Sequence, residues 1–375
     1  MGHAKPNFDM NRVQGCLALL AVSDRRAVRR HPDRNDEDGW LFECSLPFRL
    51  DVEKLMQSKA ARRLARKTQV ILLPRNSHAR DRLSHSLEVA CVAAEIGRIL
   101  GLNSDLCFAA GVGHDIGHAP LGHRGEAFLA RQTGRDFRHE VMGVVIAQHI
   151  ERKGGGLNLC LQTLQAMRHH SRGKGDLTLV ESAQEDNVVM YADKISYLFA
   201  DFNDLFGRNA MTGSPLRLED FGELAEVVDW FGATHRTRVR TALEGLCLES
   251  LQAGRVQFTD SDTAKQFHRL KSLMYGVYPL VHAAERPDPA TGLDEKGDAA
   301  LERVYEALAR LEPDVDPAIL FALLNDEDFS WLAAKGNIGR DDFDRLSLAE
   351  IVPHIRGKNI DFTDADLRWG DSDKP

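Results

Sequence analysis

The sequence predicts a mainly α fold. Apolar residues recur at helical spacing in most segments after Asp51, and helix stop and start signals separate those segments. Few runs alternate with the two-residue period of a strand, and no internal repeat is present.

Taken in order, Met1 to Leu50 is irregular. Asp24 to Gly39 reads as a polar, charge-dense loop, and Trp40 to Leu50 as a short strand or hairpin. From Asp51 the pattern turns helical, with Leu55, Leu64 and Val70 set among lysines and arginines. Leu83 to Leu100 is a strong helix with Leu87, Ala90, Cys91, Ala94 and Ile99 as its apolar face and Gly101 as its stop. Ser104 is the expected cap of the next helix, which runs to about Gly113. Pro120, with Gly117, Gly122 and Gly125, then breaks regular structure, so His118 and His123 are expected on a turn or short helix lining a cleft. Helical spacing resumes over Arg138 to Lys153, Leu159 to His170, Asn187 to Leu205, Leu218 to Ala253 and Thr263 to Ala284. Residues 285 to 298 read as a loop, followed by a helix from Ala299 to Leu311 and a tail that is polar and frayed from Thr363. The expected organisation is an N-terminal extension (1–50), a catalytic core (51–284) and a C-terminal helical region with a polar tail (285–375).

The 375 residues are enough for a sizeable core, and 43% hydrophobic with 28% charged residues is an ordinary globular balance. No uncharged apolar run approaches the ~18 residues of a membrane span. The start, Met1 to Asn11, lacks the apolar stretch of a leader, and the seven-residue run Cys16 to Val22 reads as a buried element. Six cysteines (16, 44, 91, 107, 160, 247) are scattered without a C-x-x-C, so reduced thiols and a cytoplasmic protein are expected. A net charge of −8 argues against coating nucleic acid through the overall field. Arg62, Arg63, Arg66 and Lys67 are nevertheless clustered, with Arg75, Arg80 and Arg82 following. They suit a small polyanion, or else form a solvated helix face.

Chemistry concentrates between Gly113 and Glu126, where G-H-D-I-G-H-A-P-L-G-H-R-G-E packs three histidines, two carboxylates and four glycines into fourteen residues. Imidazole and carboxylate are costly to bury unpaired, and a metal ion is their usual partner. Nine of the fifteen histidines lie between His78 and His170. His114 and Asp115, neighbours at a helix end, diverge by roughly 100° and can take adjacent corners of one coordination sphere. His85 on the preceding helix and Asp193 on a later one can close it. Two histidines and two carboxylates leave open positions, which suits one divalent Mn, Mg, Fe or Zn ion and Lewis-acid hydrolysis rather than a closed structural site.

The longer strings Arg82-Leu-Ser-His85-Ser-Leu-Glu-Val89, His114-Asp-Ile-Gly-His118-Ala-Pro-Leu-Gly-His123-Arg-Gly-Glu126, Phe137-Arg-His139-Glu140 and Tyr191-Ala-Asp193-Lys194-Ile-Ser-Tyr197 resemble the HD phosphohydrolase superfamily. Within it, the chain is similar to the deoxynucleoside triphosphate triphosphohydrolases of the dGTPase-like family, over roughly Asp51 to His282. The resemblance implies an HD-domain helical bundle with additional C-terminal helices and few short strands. It implies metal ligands His85, His114, Asp115 and Asp193, a catalytic pair His123 and Glu126, and accessory active-site histidines His118 and His139. A carboxylate beside an imidazole raises its basicity and fixes its tautomer, which agrees with that pairing. Arg82 and Lys194 fall where relatives contact phosphates; Gln69, Tyr197 and Asp201 fall where they read deoxyribose, and Tyr278 is a further sugar or base contact. The His169-His170 doublet receives no role.

The implied activity is metal-dependent hydrolysis of a deoxynucleoside triphosphate to deoxynucleoside and inorganic triphosphate. Partners implied alongside it are a homo-oligomer of the chain and, as effector, single-stranded nucleic acid or a second deoxynucleotide. Two alternatives stand beside it: another HD phosphohydrolase (a 5′-nucleotidase, cyclic-nucleotide phosphodiesterase or (p)ppGpp hydrolase), or a nucleotide-binding regulator with a residual site.

Overall fold

A helix that is apolar on every side can only sit in an interior, and Leu106-Cys-Phe-Ala-Ala-Gly-Val-Gly113 is such a sequence. In the computed structural model it becomes the centre of an all-helical assembly. The structure describes residues 8–32, 46–70, 78–172, 179, 181–207, 216–284 and 298–370. The helices of six or more residues are α1 (Pro47–Gln57), α2 (Lys59–Leu64), α3 (Arg82–Leu100), α4 (Ser104–Gly113), α5 (His123–Thr133), α6 (His139–Val145), α7 (Leu161–His169), α8 (Gln184–Phe206), α9 (Gly222–Phe231), α10 (His235–Ala253), α11 (Asp262–Ala284), α12 (Asp298–Leu311), α13 (Pro317–Ala322) and α14 (Asp326–Ala333). Helices α1, α3, α7 and α8 surround α4. Among the described residues there is no strand, only isolated bridges between Arg29 and Cys160 and between Thr68 and Asp81.

Local chemistry explains the boundaries that place the site. Asp81 accepts from the Ser84 amide and Ser84 returns the bond to Asp81, a capping box that starts α3 one residue before the metal-site strings begin. Gly101, at φ 81°, ends it in the left-handed conformation that glycine adopts without strain. The crossing of α3 and α4 is so close that a Cβ on Gly111 would stand 2.6 Å from the Ala90 Cα. The apposition brings the start of α3 beside the end of α4.

Several expectations are corrected. Asn103, not Ser104, caps α4, because its side chain accepts from the Leu106 amide. The expected strand at Trp40 to Leu50 fails in its described part: Pro47 opens α1, its fixed φ suiting a first helical turn. Residues 40–45 lie outside the described residues, as do 285–297 of the expected loop. Leu218 to Ala253 is not one helix, since Gly232 at φ 148° breaks it and Thr234 caps α10 through the Thr237 amide. The buried side of α3 runs through Arg82, His85, Val89, Ala93 and Ile96, and Cys91, expected on the apolar face, is exposed. That face was obscured because its first turn carries polar site residues. The tail does not fray at Thr363: Trp369 donates its indole N–H to Gln148 Oε1 at 3.0 Å.

Helices α12 and α13 pack on α5, and α14 packs on α12, so the C-terminal helices support the segment that follows the His-Asp pair. No described helix is long and apolar enough to cross a membrane.

Candidate metal centre and active site

His114 is the C-cap of α4 and Asp115 begins the turn after it, while His85 lies one turn into α3 and Asp193 near the middle of α8. Three segments thus bring the four expected ligands together. His85 Nε2 lies 3.1 Å from Asp193 Oδ1 and 3.9 Å from Asp115 Oδ2. His114 Nε2 lies 3.3 Å from Asp115 Oδ1 and 3.7 Å from Asp193 Oδ1. Two donors each about 2.1 Å from one ion are about 3.0 Å apart at a right angle and about 4.2 Å apart across it. The observed spacings fall within that span.

The protonation pattern gives a sharper test of fit. His114 Nδ1 donates to the Gly111 carbonyl at 2.7 Å, which fixes the tautomer and leaves a lone pair on Nε2. That nitrogen is buried without a hydrogen-bond partner, and two carboxylate oxygens stand before it. A lone pair facing two carboxylates is repulsive unless a cation lies between them. Burial opposes the ionisation of both aspartates, yet it is outweighed. The Arg82 guanidinium holds Asp115 well below the usual carboxylate range, and the His85 hydrogen bond does the same for Asp193. The donor set therefore fits a divalent ion.

Asp115 also engages the groups around this cluster. Arg82 donates to its Oδ2 at 2.8 Å, and His118 Nε2 stands 3.2 Å from its Oδ1. Burial, with Arg82 beside it, pushes His118 down to about 4 and keeps it neutral.

The second cluster is built on Glu126, in the first turn of α5. His118 Nδ1 stands in close contact with its Oε1, and His123 Nδ1 and His139 Nδ1 each lie 3.3 Å from its Oε2. The rings of His118 and His139 stack with centroids 3.7 Å apart. His123 is different in kind: its side chain is 76% exposed, open to a ligand, whereas Glu126 is 11% exposed. Burial would lower His139, but the facing Glu126 more than offsets it and holds the imidazolium up at about 9.

His170 has no role assigned from its sequence context, yet its position in the structure is specific. Its Nδ1 donates to the Met167 carbonyl at 2.7 Å, so Nε2 accepts from His139 Nε2 at 3.2 Å. The doublet divides by function, for His169 faces away to Asp186 at 2.7 Å.

One cavity of about 490 Å³ joins the two clusters to the remaining expected residues: Gln69, Arg82, Lys194, Tyr197, Asp201 and Tyr278 all line it. Tyr278 donates to Asp201 Oδ2 at 2.9 Å, and Tyr197 pairs with the Tyr275 hydroxyl at 2.9 Å, so α8 and α11 are tied at two rungs along this wall. Burial raises Asp201 to about 7 against the Tyr278 hydrogen bond, which favours the carboxylate. Among the described residues, Gln69 Oε1 and Asp201 Oδ1 are buried without partners.

The basic run divides. Arg63 is buried against Glu151 at 3.5 Å, and Lys67 donates to the His118 and Ala322 carbonyls. Of the cluster 62–67, Arg62 on α2 and Arg66 in the turn after it are exposed, and Arg75 lies outside the described residues.

Gly117 shows how tightly the turn is held: a Cβ there would collide with the His139 carbonyl and the Gly143 amide. Gly117→Ala is expected to destabilise the protein by about 1–3 kcal/mol, measured as a lowered denaturant midpoint.

The HD-domain family model matches residues 82–198, from the Arg82 of α3 past Asp193. A deoxyguanosinetriphosphate triphosphohydrolase-like protein of Desulfatibacillum aliphaticivorans is 35% identical over 245 residues, covering 63% of this chain and 68% of its own. Its counterpart in Caldanaerobacter subterraneus subsp. tengcongensis is 32% identical over 258 residues, covering 69% and 70%. The chain belongs to the deoxyguanosinetriphosphate triphosphohydrolase-like family of HD-domain proteins. As an HD phosphohydrolase it is a hydrolase whose His/Asp cluster can hold a metal. In this member of the family, the helices that follow the matched segment close the cavity from outside it, through Tyr275 and Tyr278 of α11.

Proposed function

We propose that this protein hydrolyses deoxynucleoside triphosphates to deoxynucleoside and intact inorganic triphosphate. The observation that carries the reading is the continuity of one cavity: it runs from the His85/His114/Asp115/Asp193 cluster past His123 to the wall of Tyr197, Asp201 and Tyr278. A triphosphate and a deoxyribose need those two kinds of surface side by side. The family name of the relatives accords with it.

His85, His114, Asp115 and Asp193 would hold a divalent ion, which when bound would supply Lewis-acid neutralisation of charge at the α-phosphate. Arg82 and Lys194 bind the phosphate oxygens, the guanidinium kept in place by Asp115. Water adds to the α-phosphorus and the bond to the 5′-oxygen breaks, its electron pair leaving with that oxygen. His123 transfers the proton at this step. Glu126 faces its Nδ1 and so fixes the tautomer that offers Nε2 to the substrate. His139, held cationic, keeps the Glu126 carboxylate ionised and aimed at His123.

Tyr197 packs where a 2′-hydroxyl would project, and its tether to Tyr275 stiffens that wall. Tyr197→Ala is therefore expected to raise the ratio of ribonucleotide to deoxynucleotide kcat/KM by about 10- to 100-fold, a pocket-volume effect, in competition assays with paired substrates.

The test is product analysis. The protein is incubated with each dNTP and NTP in Mn²⁺, Mg²⁺ and Co²⁺, and products are identified by mass. Deoxynucleoside plus triphosphate is the expected outcome. Release of orthophosphate or pyrophosphate, or binding without turnover, would contradict the reading.

A further inference from the structure

We propose that Asp326 and Lys67 are positioning residues through which the C-terminal helices set the turn 118–122 that presents His123. The inference rests on the functional reading above for the role of His123, but not for the existence of the clamp.

Between His118 and His123 the chain must reverse in four residues, and it does so in uncommon backbone: Leu121 has φ 61° and Gly122 φ 55° with ψ −131°. A non-glycine residue in the left-handed region is strained and persists where its surroundings hold it. Asp326, the first residue of α14, supplies the hold. Its Oδ1 accepts from the Leu121 amide at 2.9 Å and its Oδ2 from the Thr68 amide at 2.7 Å. Its own amide donates to the Arg66 carbonyl at 3.0 Å. Lys67 completes the clamp from below. It is fully buried, and its ammonium donates to the His118 carbonyl at one end of the turn and to the Ala322 carbonyl of α13 at the other side. The Lys67 carbonyl in turn accepts from the Arg82 amide at 3.0 Å, at the start of α3.

One carboxyl group thus fastens two backbone segments that both line the cavity, the catalytic turn and the stretch leading to Gln69. Neither hydrogen bond reaches the four candidate metal ligands, which are carried by α3, the end of α4 and α8. The clamp therefore separates two properties that a general loss of packing would disturb together: metal affinity and the placement of His123.

The experiment uses the full-length protein with Mn²⁺, comparing Asp326→Ala, Asp326→Asn and, as a purely structural control, Glu312→Ala, which breaks the Arg340 and Arg356 pairs in the C-terminal region away from the cavity. Misplacing a catalytic group by about 1 Å costs about 100-fold, so Asp326→Ala is expected to lower kcat by about that factor. Asp326→Asn, which keeps one acceptor, is expected to fall between. The Mn²⁺ dissociation constant should stay within about twofold of wild type, while amide hydrogen exchange over residues 119–124 accelerates by about tenfold or more. Glu312→Ala is expected to lower the melting temperature without either change. The proposal is overturned if folded Asp326→Ala shows unchanged exchange over 119–124, or a kcat no lower than that of Glu312→Ala. If no nucleotide is turned over, the functional reading fails while the exchange result alone still decides the clamp.

Discussion

Asp115→Asn is expected to leave a folded protein that retains no divalent ion and has lost turnover by more than about 10⁴-fold. The reason is the number of groups that one carboxylate serves. Its Oδ2 takes the Arg82 guanidinium at 2.8 Å, and its Oδ1 faces His118 at 3.2 Å, His114 at 3.3 Å and His170 at 3.9 Å. An asparagine has one acceptor and one donor. Whichever way the amide turns, its N–H₂ meets either the Arg82 guanidinium or the histidine side, and the negative charge that balances the ion is gone. Metal content by mass spectrometry and steady-state rates check both parts. Retention of a stoichiometric ion with near-normal turnover would remove Asp115 from the coordination set.

His123→Ala is expected to behave in the opposite way towards the metal. The side chain is 76% exposed and belongs to the Glu126 cluster, so the ion and the fold are expected to survive its removal, with stability within about 0.5 kcal/mol of wild type. The rate is expected to drop by roughly 10²–10⁴, the span associated with loss of a general acid–base group. Its exposure is itself informative, because Glu126, His118 and His139 are buried around it and His123 is the most open member of that cluster. A variant close to wild type would transfer the proton-transfer role to another group.

The parts of this account legible in the sequence share a physical character. The His114-Asp115 pair, the glycines after it and the Gly101 stop are short-range features, since local backbone geometry and helix spacing act within a few residues. They place the pair at the end of α4 as expected. His85 and Asp193 needed only the further step that neighbouring helices pack. The residues that escaped notice act over long separations. Asp326 reaches Leu121 and Thr68 across more than two hundred residues, and its own surroundings, an acidic first turn after an Asn cap, look like ordinary helix-start chemistry. His170 was obscured by its neighbour, because a doublet does not say which imidazole turns inward; the answer came from Met167 and Asp186, on different helices. Boundary errors arose where a local signal was read at the wrong weight. Pro47 favoured a helix start over a strand, and Gly232 with the Thr234 cap divided a pattern that periodicity alone had joined. The basic run over Arg62 to Lys67 shows the same limit: charge pattern alone did not separate the buried Arg63 and Lys67 from the exposed Arg62 and Arg66.

The central claim is that two imidazoles and two carboxylates from α3, the end of α4 and α8 share one divalent cation. Anomalous diffraction from crystals grown in manganese tests it most directly. A single strong peak is expected within about 2.3 Å of His85 Nε2, His114 Nε2 and an oxygen of each of Asp115 and Asp193. A peak bound elsewhere, or one that leaves His85 or Asp193 beyond coordinating distance, would contradict it.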